Sequence, residues 1–312
     1  MPKLRVSPRA FARIALVALV LNCAIVLTGA AVRITGSGLG CPTWPTCNGT
    51  MLVGAWEYHT TIEWGNRLFT VAITLWTALT VVAALLRQPR RRDLAALSAS
   101  LIGGIFLQIV LGGLTVLFEL RPAFVMTHFM VSTGMLALAM TLWNRARVPG
   151  PEPVAAGPRV RKVVHLDAAL ALLVIFLGTA TTAAGPHSGG STGQDIARLG
   201  DLETAVRMHA GAVAALLVVA IGLRVVVRDG DPRLRRLASL QIGLLFAQAA
   251  VGITQYALQL PRPLVELHVA GALAIWLVTL QLVIAVTQQR ARAPAATERT
   301  VTTAAPEPSG LR

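Results

Sequence analysis

Hydrophobic residues in this chain gather into eight blocks separated by short polar segments. The blocks run Phe11–Val32, Ile62–Leu86, Leu94–Leu117, Phe124–Trp143, Val163–Ala184, Ala205–Val227, Leu237–Leu258 and Leu264–Val286. About 20 apolar residues in a helix rise about 30 Å, the thickness of a hydrocarbon core. The pattern predicts an all-α polytopic membrane protein with eight transmembrane helices. The first block is too long for the apolar core of a secretory signal, and no clear small-residue cleavage site follows it. It is expected to remain as a span.

Composition agrees with this pattern. Of the 312 residues, 54% are hydrophobic and 13% charged, against about 25% charged in an ordinary soluble protein. Mean hydropathy is +0.65. These values exclude a disordered chain, a secreted disulfide scaffold and a nucleic-acid-binding domain of the usual kind. The net charge of +14 is better placed in loops flanking spans than on a nucleic-acid surface. All but six of the 28 Lys and Arg residues fall on one side of the eight-span topology, in 3–13, 87–92, 145–162, 224–236 and 290–312. The exceptions are Arg33, Arg67, Arg121, Arg198, Arg207 and Arg262. The positive-inside rule makes the crowded side cytoplasmic, with both termini on it, in a bacterial cell membrane.

The two halves repeat. An offset of 140 lays Gln108 on Gln248, Gly112 on Gly252 and His128 on His268, and Glu63 and Arg67 on Glu203 and Arg207. Five polar or glycine matches at one offset in an apolar chain point to two duplicated four-helix bundles of parallel topology. The expected division is an N-terminal half at 1–148, a Pro/Ala/Gly-rich cytoplasmic linker at 149–162, a C-terminal half at 163–289 and a disordered tail at 290–312.

His128, His209 and His268 all lie near the extracytoplasmic ends of their spans. Ionisable groups inside spans are costly and usually functional. Histidines on neighbouring apolar helices, without an accompanying carboxylate cluster or cysteine pair in the membrane, suit heme iron better than zinc. Gly134, Gly211 and Gly271 follow these histidines. Either they open a slot for a porphyrin or they serve helix packing. His59 precedes the second span on the outer side. His165 and His187 read as solvated or interfacial. Glu63, Asn66 and Arg67 share a helix face at the start of the second span. They form either a helix-end ion pair or a carboxylate held at the rim of an apolar pocket. After the first span, Cys41 and Cys47 lie in an outer Gly- and Pro-rich loop, where a disulfide is plausible, structural or redox-active. Cys23 reads as a buried small apolar residue.

These elements resemble the heme A synthases of bacteria and mitochondria. The resemblance covers all eight blocks. Its carriers are the loop Arg33–Cys47 with Gly36-Ser37-Gly38-Leu39 and Cys41-Pro42-x-Trp44-Pro45-x-Cys47, the run Glu63-x-x-Asn66-Arg67, the stretch Gln108–Val116, and the single histidines of spans four, six and eight. It implies oxidation of the C8 methyl of heme O, through the alcohol, to the formyl group of heme A, for terminal oxidases. It implies a heme b on His209 and His268 in the C-terminal half. The substrate heme would sit in the N-terminal half on His128, with Glu63 essential and Arg33 or Arg67 toward the propionates. Asn66 stands where the family's Glu-x-x-His-Arg element has a histidine. This predicts a five-coordinate substrate heme with Asn66 as hydrogen-bond donor, or His59 as substitute ligand if the loop folds back. Expected partners are heme O, heme O synthase, oxidase assembly factors and the lipid bilayer, with no nucleic acid; a homo-oligomer stays open. The competing readings are a diheme b-type electron-transfer protein without heme-modifying activity, and a repeat-built transporter. The latter would place polar groups at mid-membrane rather than at the outer helix ends.

Overall fold

The structure is a computed structural model that describes residues 5–49, 56–148, 150, 154, 156–191, 194 and 196–287. The tail at 290–312 and much of the linker at 149–155 lie outside the described residues, and so do Lys3, Arg290, Arg292, Arg299 and Arg312.

Among the described residues the chain forms eight α-helices. They are α1 (Pro8–Ile34), α2 (Tyr58–Leu86), α3 (Arg92–Leu117), α4 (Pro122–Ala146), α5 (Pro158–Ala184), α6 (Leu202–Val226), α7 (Pro232–Ala257) and α8 (Arg262–Thr287). All eight are long and apolar enough to cross a membrane. Each corresponds to one hydrophobic block but begins two to five residues earlier. The early starts are polar: proline opens α1, α4, α5 and α7, where its missing N–H costs nothing. Ser7, Asp201 and Asp231 cap α1, α6 and α7 through side-chain oxygens. Hydropathy does not register these turns. Many outward-facing side chains are apolar and uncovered, including Leu75 at 68%, Val218 at 69% and Ile253 at 72% exposed. Such a surface fits lipid rather than water. The chain is a multi-pass membrane protein.

Within each half the helices close a ring: α1 packs on α2, α2 on α3, α3 on α4 and α4 back on α1, and α5 through α8 do the same. The rings meet where α4 and α8 face each other, flanked by α1 on α8 and α4 on α5. The apolar core runs through this seam, with Ala15 and Ala18 of α1, Ala139 of α4 and Trp276 of α8 in one buried cluster. Trp276 Nε1 crosses it to Thr133 O at 3.1 Å.

The 140-residue offset has structural counterparts. Gln108 Nε2 donates to His128 O at 3.1 Å, and Gln248 Nε2 to His268 O at 2.6 Å. Helices α3 and α7 end in the same turn. Glu119 and Leu120 have φ of 52° and 59°, and Gln259 and Leu260 have 61° and 60°. Leu120 N donates to Thr115 O and Leu260 N to Gln255 O, a helix-terminating bond that holds the left-handed residues.

One expectation fails. Polar groups in the spans are not confined to the outer ends: Asp167, Gln241 and Thr279 are fully buried in the other half of the membrane. A single acidic residue in an apolar block barely changes its hydropathy, so the pattern hides it.

Candidate functional site

The histidines fall into a pair and a singleton. The rings of His209 on α6 and His268 on α8 have centroids 6.4 Å apart, inclined by 62°. A metal about 2 Å from one nitrogen of each ring would put the centroids about 6 Å apart. His209 Nδ1 lies 3.1 Å from Val174 O on α5, and an N–H donated to that carbonyl leaves Nε2 for a metal. His268 Nδ1 is buried without a partner. The pair would therefore fit two-histidine ligation of one metal ion.

His128 on α4 repeats the environment of His268. Its Nδ1 is also buried without a partner. A Cβ on Gly112 would stand 3.6 Å from His128 Cε1, and one on Gly252 3.1 Å from His268 Cε1. The neighbouring positions on the first helix of each ring differ. Gly178 on α5 leaves space for His209, whose Cε1 would lie 3.2 Å from an added Cβ. Counted from the prolines that open α1 and α5, Thr28 occupies the position of Gly178. Thr28 Oγ1 donates to Asn66 Oδ1 at 2.8 Å, which leaves the Asn66 NH₂ as the outward donor. The N-terminal ring thus has a Thr–Asn hydrogen bond where the C-terminal ring has glycine and imidazole.

Glu63 lies under the outer loop. Cys41 and Cys47 form a disulfide, and the loop folds back over the start of α2. Glu63 is 5% exposed. Its Oε2 accepts from Cys41 N at 2.7 Å and its Oε1 from Arg67 Nη2 at 2.7 Å. Arg67 also donates to the carbonyls of Cys41, Thr43 and Thr46 at 3.1–3.2 Å. Gly40 packs so closely on the His59 carbonyl that no side chain would fit. A Cβ on Gly113 would stand 2.7 Å from the Trp44 ring. The repeated pair Glu203–Arg207 keeps its 2.6 Å contact but is exposed at 62% and 77%. Among the described residues no comparable loop covers it; 17 residues connect α5 to α6 and 23 connect α1 to α2.

His187 is half-buried among the outer loops, in keeping with an interfacial residue. Its Nε2 pairs with Leu260 O at 2.8 Å and its carbonyl accepts from Arg33 Nε at 3.1 Å. Gly38 N donates to Gly189 O at 2.9 Å, so the outer loops of the two rings interlock. Gly36, at φ 73°, sits so close to Gly190 O that a Cβ would meet it at 2.7 Å. His59 Nδ1 pairs with Ser37 Oγ at 3.1 Å, and His165 is exposed. Gly134 and Gly211 face open space, and Gly271 packs on the Gln248 amide. The glycines that touch the histidines are Gly112, Gly178 and Gly252. Gly178 has no sequence signal of its own, since its partner lies on another helix.

A family model described as cytochrome oxidase assembly protein matches residues 12–280. A heme A synthase of Shewanella oneidensis is 26% identical over 315 residues, covering 85% of this chain and 92% of that protein. A heme A synthase of Geobacillus kaustophilus is 33% identical over 129 residues, 39% of each chain. A protoheme IX farnesyltransferase of Thermus thermophilus is 31% identical over 278 residues, 82% of this chain. The chain spans 45% of that protein's length. With the family match running from the first helix into the last, the chain belongs to the cytochrome oxidase assembly protein family.

Proposed function

We propose that this protein is a heme A synthase, an oxidoreductase that converts the C8 methyl of heme O to a formyl group. The observation that carries this reading is the inequality of the two rings. One presents a histidine pair at metal-bridging separation; the other has His128 on α4 and, on α1 and α2, a Thr28–Asn66 hydrogen bond instead of a second imidazole. A saturated iron suits electron transfer and an open one suits chemistry. A diheme electron-transfer protein would be expected to present two pairs.

In this reading the N-terminal half holds the substrate and the C-terminal half a heme b. Bound between His209 and His268, heme b would supply one-electron transfer. His128 binds the iron of heme O, and the Asn66 amide donates a hydrogen bond on the opposite face. Glu63 holds negative charge at the rim of the pocket, oriented by Arg67 and the Cys41 N–H. Arg33 lies between the interlocked loops, where its guanidinium can meet a propionate. Arg67 reaches a propionate only by releasing loop carbonyls, so Arg33 is the better candidate. The cysteine bridge keeps the loop closed over Glu63.

The basic clusters at one end of the bundle support a bacterial cell membrane location with both termini cytoplasmic. The Thermus relative named for farnesyl transfer carries a segment like this chain in less than half its length. That supports heme O synthase as a neighbour that hands over substrate. Heme extracts from host cells with and without the protein, separated into heme O and heme A, test the reading. Heme A is expected only where the protein is present; equal heme A in both would refute it.

A further inference from the structure

Asp167 on α5, Gln241 on α7 and Thr279 on α8 form a cluster that the proposed reaction does not use. All three have 0% exposure. Gln241 Nε2 donates to Asp167 Oδ2 at 2.8 Å and to Thr279 Oγ1 at 2.9 Å. The Thr279 hydroxyl donates to Ile275 O at 3.0 Å. Asp167 Oδ1 and Gln241 Oε1 are buried without a partner. Each residue lies eight or nine positions from the basic end of its helix, about 13 Å deep.

The cluster shares helix faces with the groups that position the histidine pair. Asp167 stands two turns from Val174, whose carbonyl meets His209. Gln241 stands two turns from Gln248, which holds the His268 carbonyl. Thr279 stands three turns from His268 on α8. Such spacings keep residues on one helix face. The cluster therefore lies about 10–16 Å from the pair along the C-terminal ring.

Among the described residues no cation compensates Asp167 directly. Arg224 on α6 bonds Ser239, Arg233 on α7 bonds Gln281, and Arg145 on α4 pairs with Asp93. His165 is exposed on α5. Toward the other end lie His209, His268, Glu266, His128 and the Glu203–Arg207 pair. Among the described residues none of these hydrogen-bonds or ion-pairs with Asp167. An unpaired carboxylate in hydrocarbon is costly. Two things relieve it: a proton, or a positive charge within range in a low-dielectric interior. Ferric iron in a porphyrin between neutral imidazoles is such a charge, and ferrous iron is not.

We propose that Asp167, Gln241 and Thr279 form a proton-binding site whose occupancy follows the oxidation state of the iron held by His209 and His268. The inference rests on the heme b reading above. Asp167 takes one proton from water at the basic end as one electron reaches the iron, and releases it as the electron leaves, so net charge is conserved. In the test below the electrode that sets the potential supplies the electron on reduction and takes it back on oxidation. The proton makes Asp167 Oδ1 a donor, and Gln241 Oε1 in the same cluster is an acceptor without a donor.

Spectroelectrochemical titration of the heme-loaded protein across neutral pH tests this. The wild-type midpoint potential is expected to fall as pH rises, by up to about 59 mV per tenfold change in proton concentration. Asp167→Asn should flatten the dependence and Asp167→Glu should restore it. A protonated-carboxyl infrared band should appear on reduction in the wild type and be missing in Asp167→Asn. Equal slopes in wild type and Asp167→Asn, or a flat wild-type slope, would overturn the proposal. If Asp167→Asn does not fold, the wild-type infrared spectrum decides, and no carboxyl band on reduction refutes the site. A wild type without a low-spin heme signal refutes the heme b reading instead.

Discussion

Glu63 has both oxygens engaged, one by the Cys41 amide and one by Arg67. These contacts fix its position and leave its charge as the property that substitution can remove. Glu63→Gln keeps the size and an acceptor for the amide but loses the ion pair. Heme A formation is expected to fall by at least the roughly 10²-fold that acid–base groups contribute, with heme O or the alcohol accumulating. Asn66→His should be far milder and shift the substrate heme toward low spin. Heme extracts at equal protein levels compare the two, and normal heme A from Glu63→Gln would leave Glu63 as an anchor of the loop. For the histidine pair, His209→Ala or His268→Ala should remove the low-spin bis-imidazole absorbance, and His128→Ala should not. Full heme b in both pair variants would sink that assignment.

Elements of the two rings diverge where a loop covers one and not the other. The exposed Glu203–Arg207 pair belongs to the class of surface pairs worth about 0–1 kcal/mol. Breaking a buried pair by removing one partner costs about 3–5 kcal/mol. Arg67 also ties three loop carbonyls to α2, so its loss should loosen the outer loop as well. Helix α3 meets that loop through Gly113. Gly113→Ala drives a methyl into the Trp44 ring and should cost about 1–3 kcal/mol, the range for overpacking. Gly134→Ala, with open space around it, should be neutral or stabilise by about 0.5–1 kcal/mol. Thermal unfolding of the purified variants separates them, and equal midpoints would mean that Trp44 yields freely.

Across the whole molecule, two rings of parallel topology share the α4–α8 seam and are fastened at the outer end by interlocked loops. Even numbers of spans per ring place the ends of both rings on one side, and the positive-inside rule predicts that this side, with its basic clusters, is cytoplasmic. A reporter active only in the cytoplasm should work when inserted at Gly150 and be silent at Gly200. Activity at Gly200 would invert the orientation.

The sequence by itself determined the eight spans and the match of the two halves at an offset of 140. Each rests on local hydrophobicity or spacing, and those signals survive without knowledge of neighbours. Singly placed His128, His209 and His268 were legible as candidates because ionisable residues are rare in apolar blocks. The resemblance had assigned His209 and His268 to one site, but only the tertiary structure brings their rings to 6.4 Å. That depends on the rotation of α6 against α8 and on Gly178, a residue of a third helix. It also decided that Glu63 lies beneath a disulfide loop while Glu203 is bare, although both head the same local motif. Asp167, Gln241 and Thr279 became a cluster because three helices bring them to one depth, and no spacing within one helix can report a contact made between three.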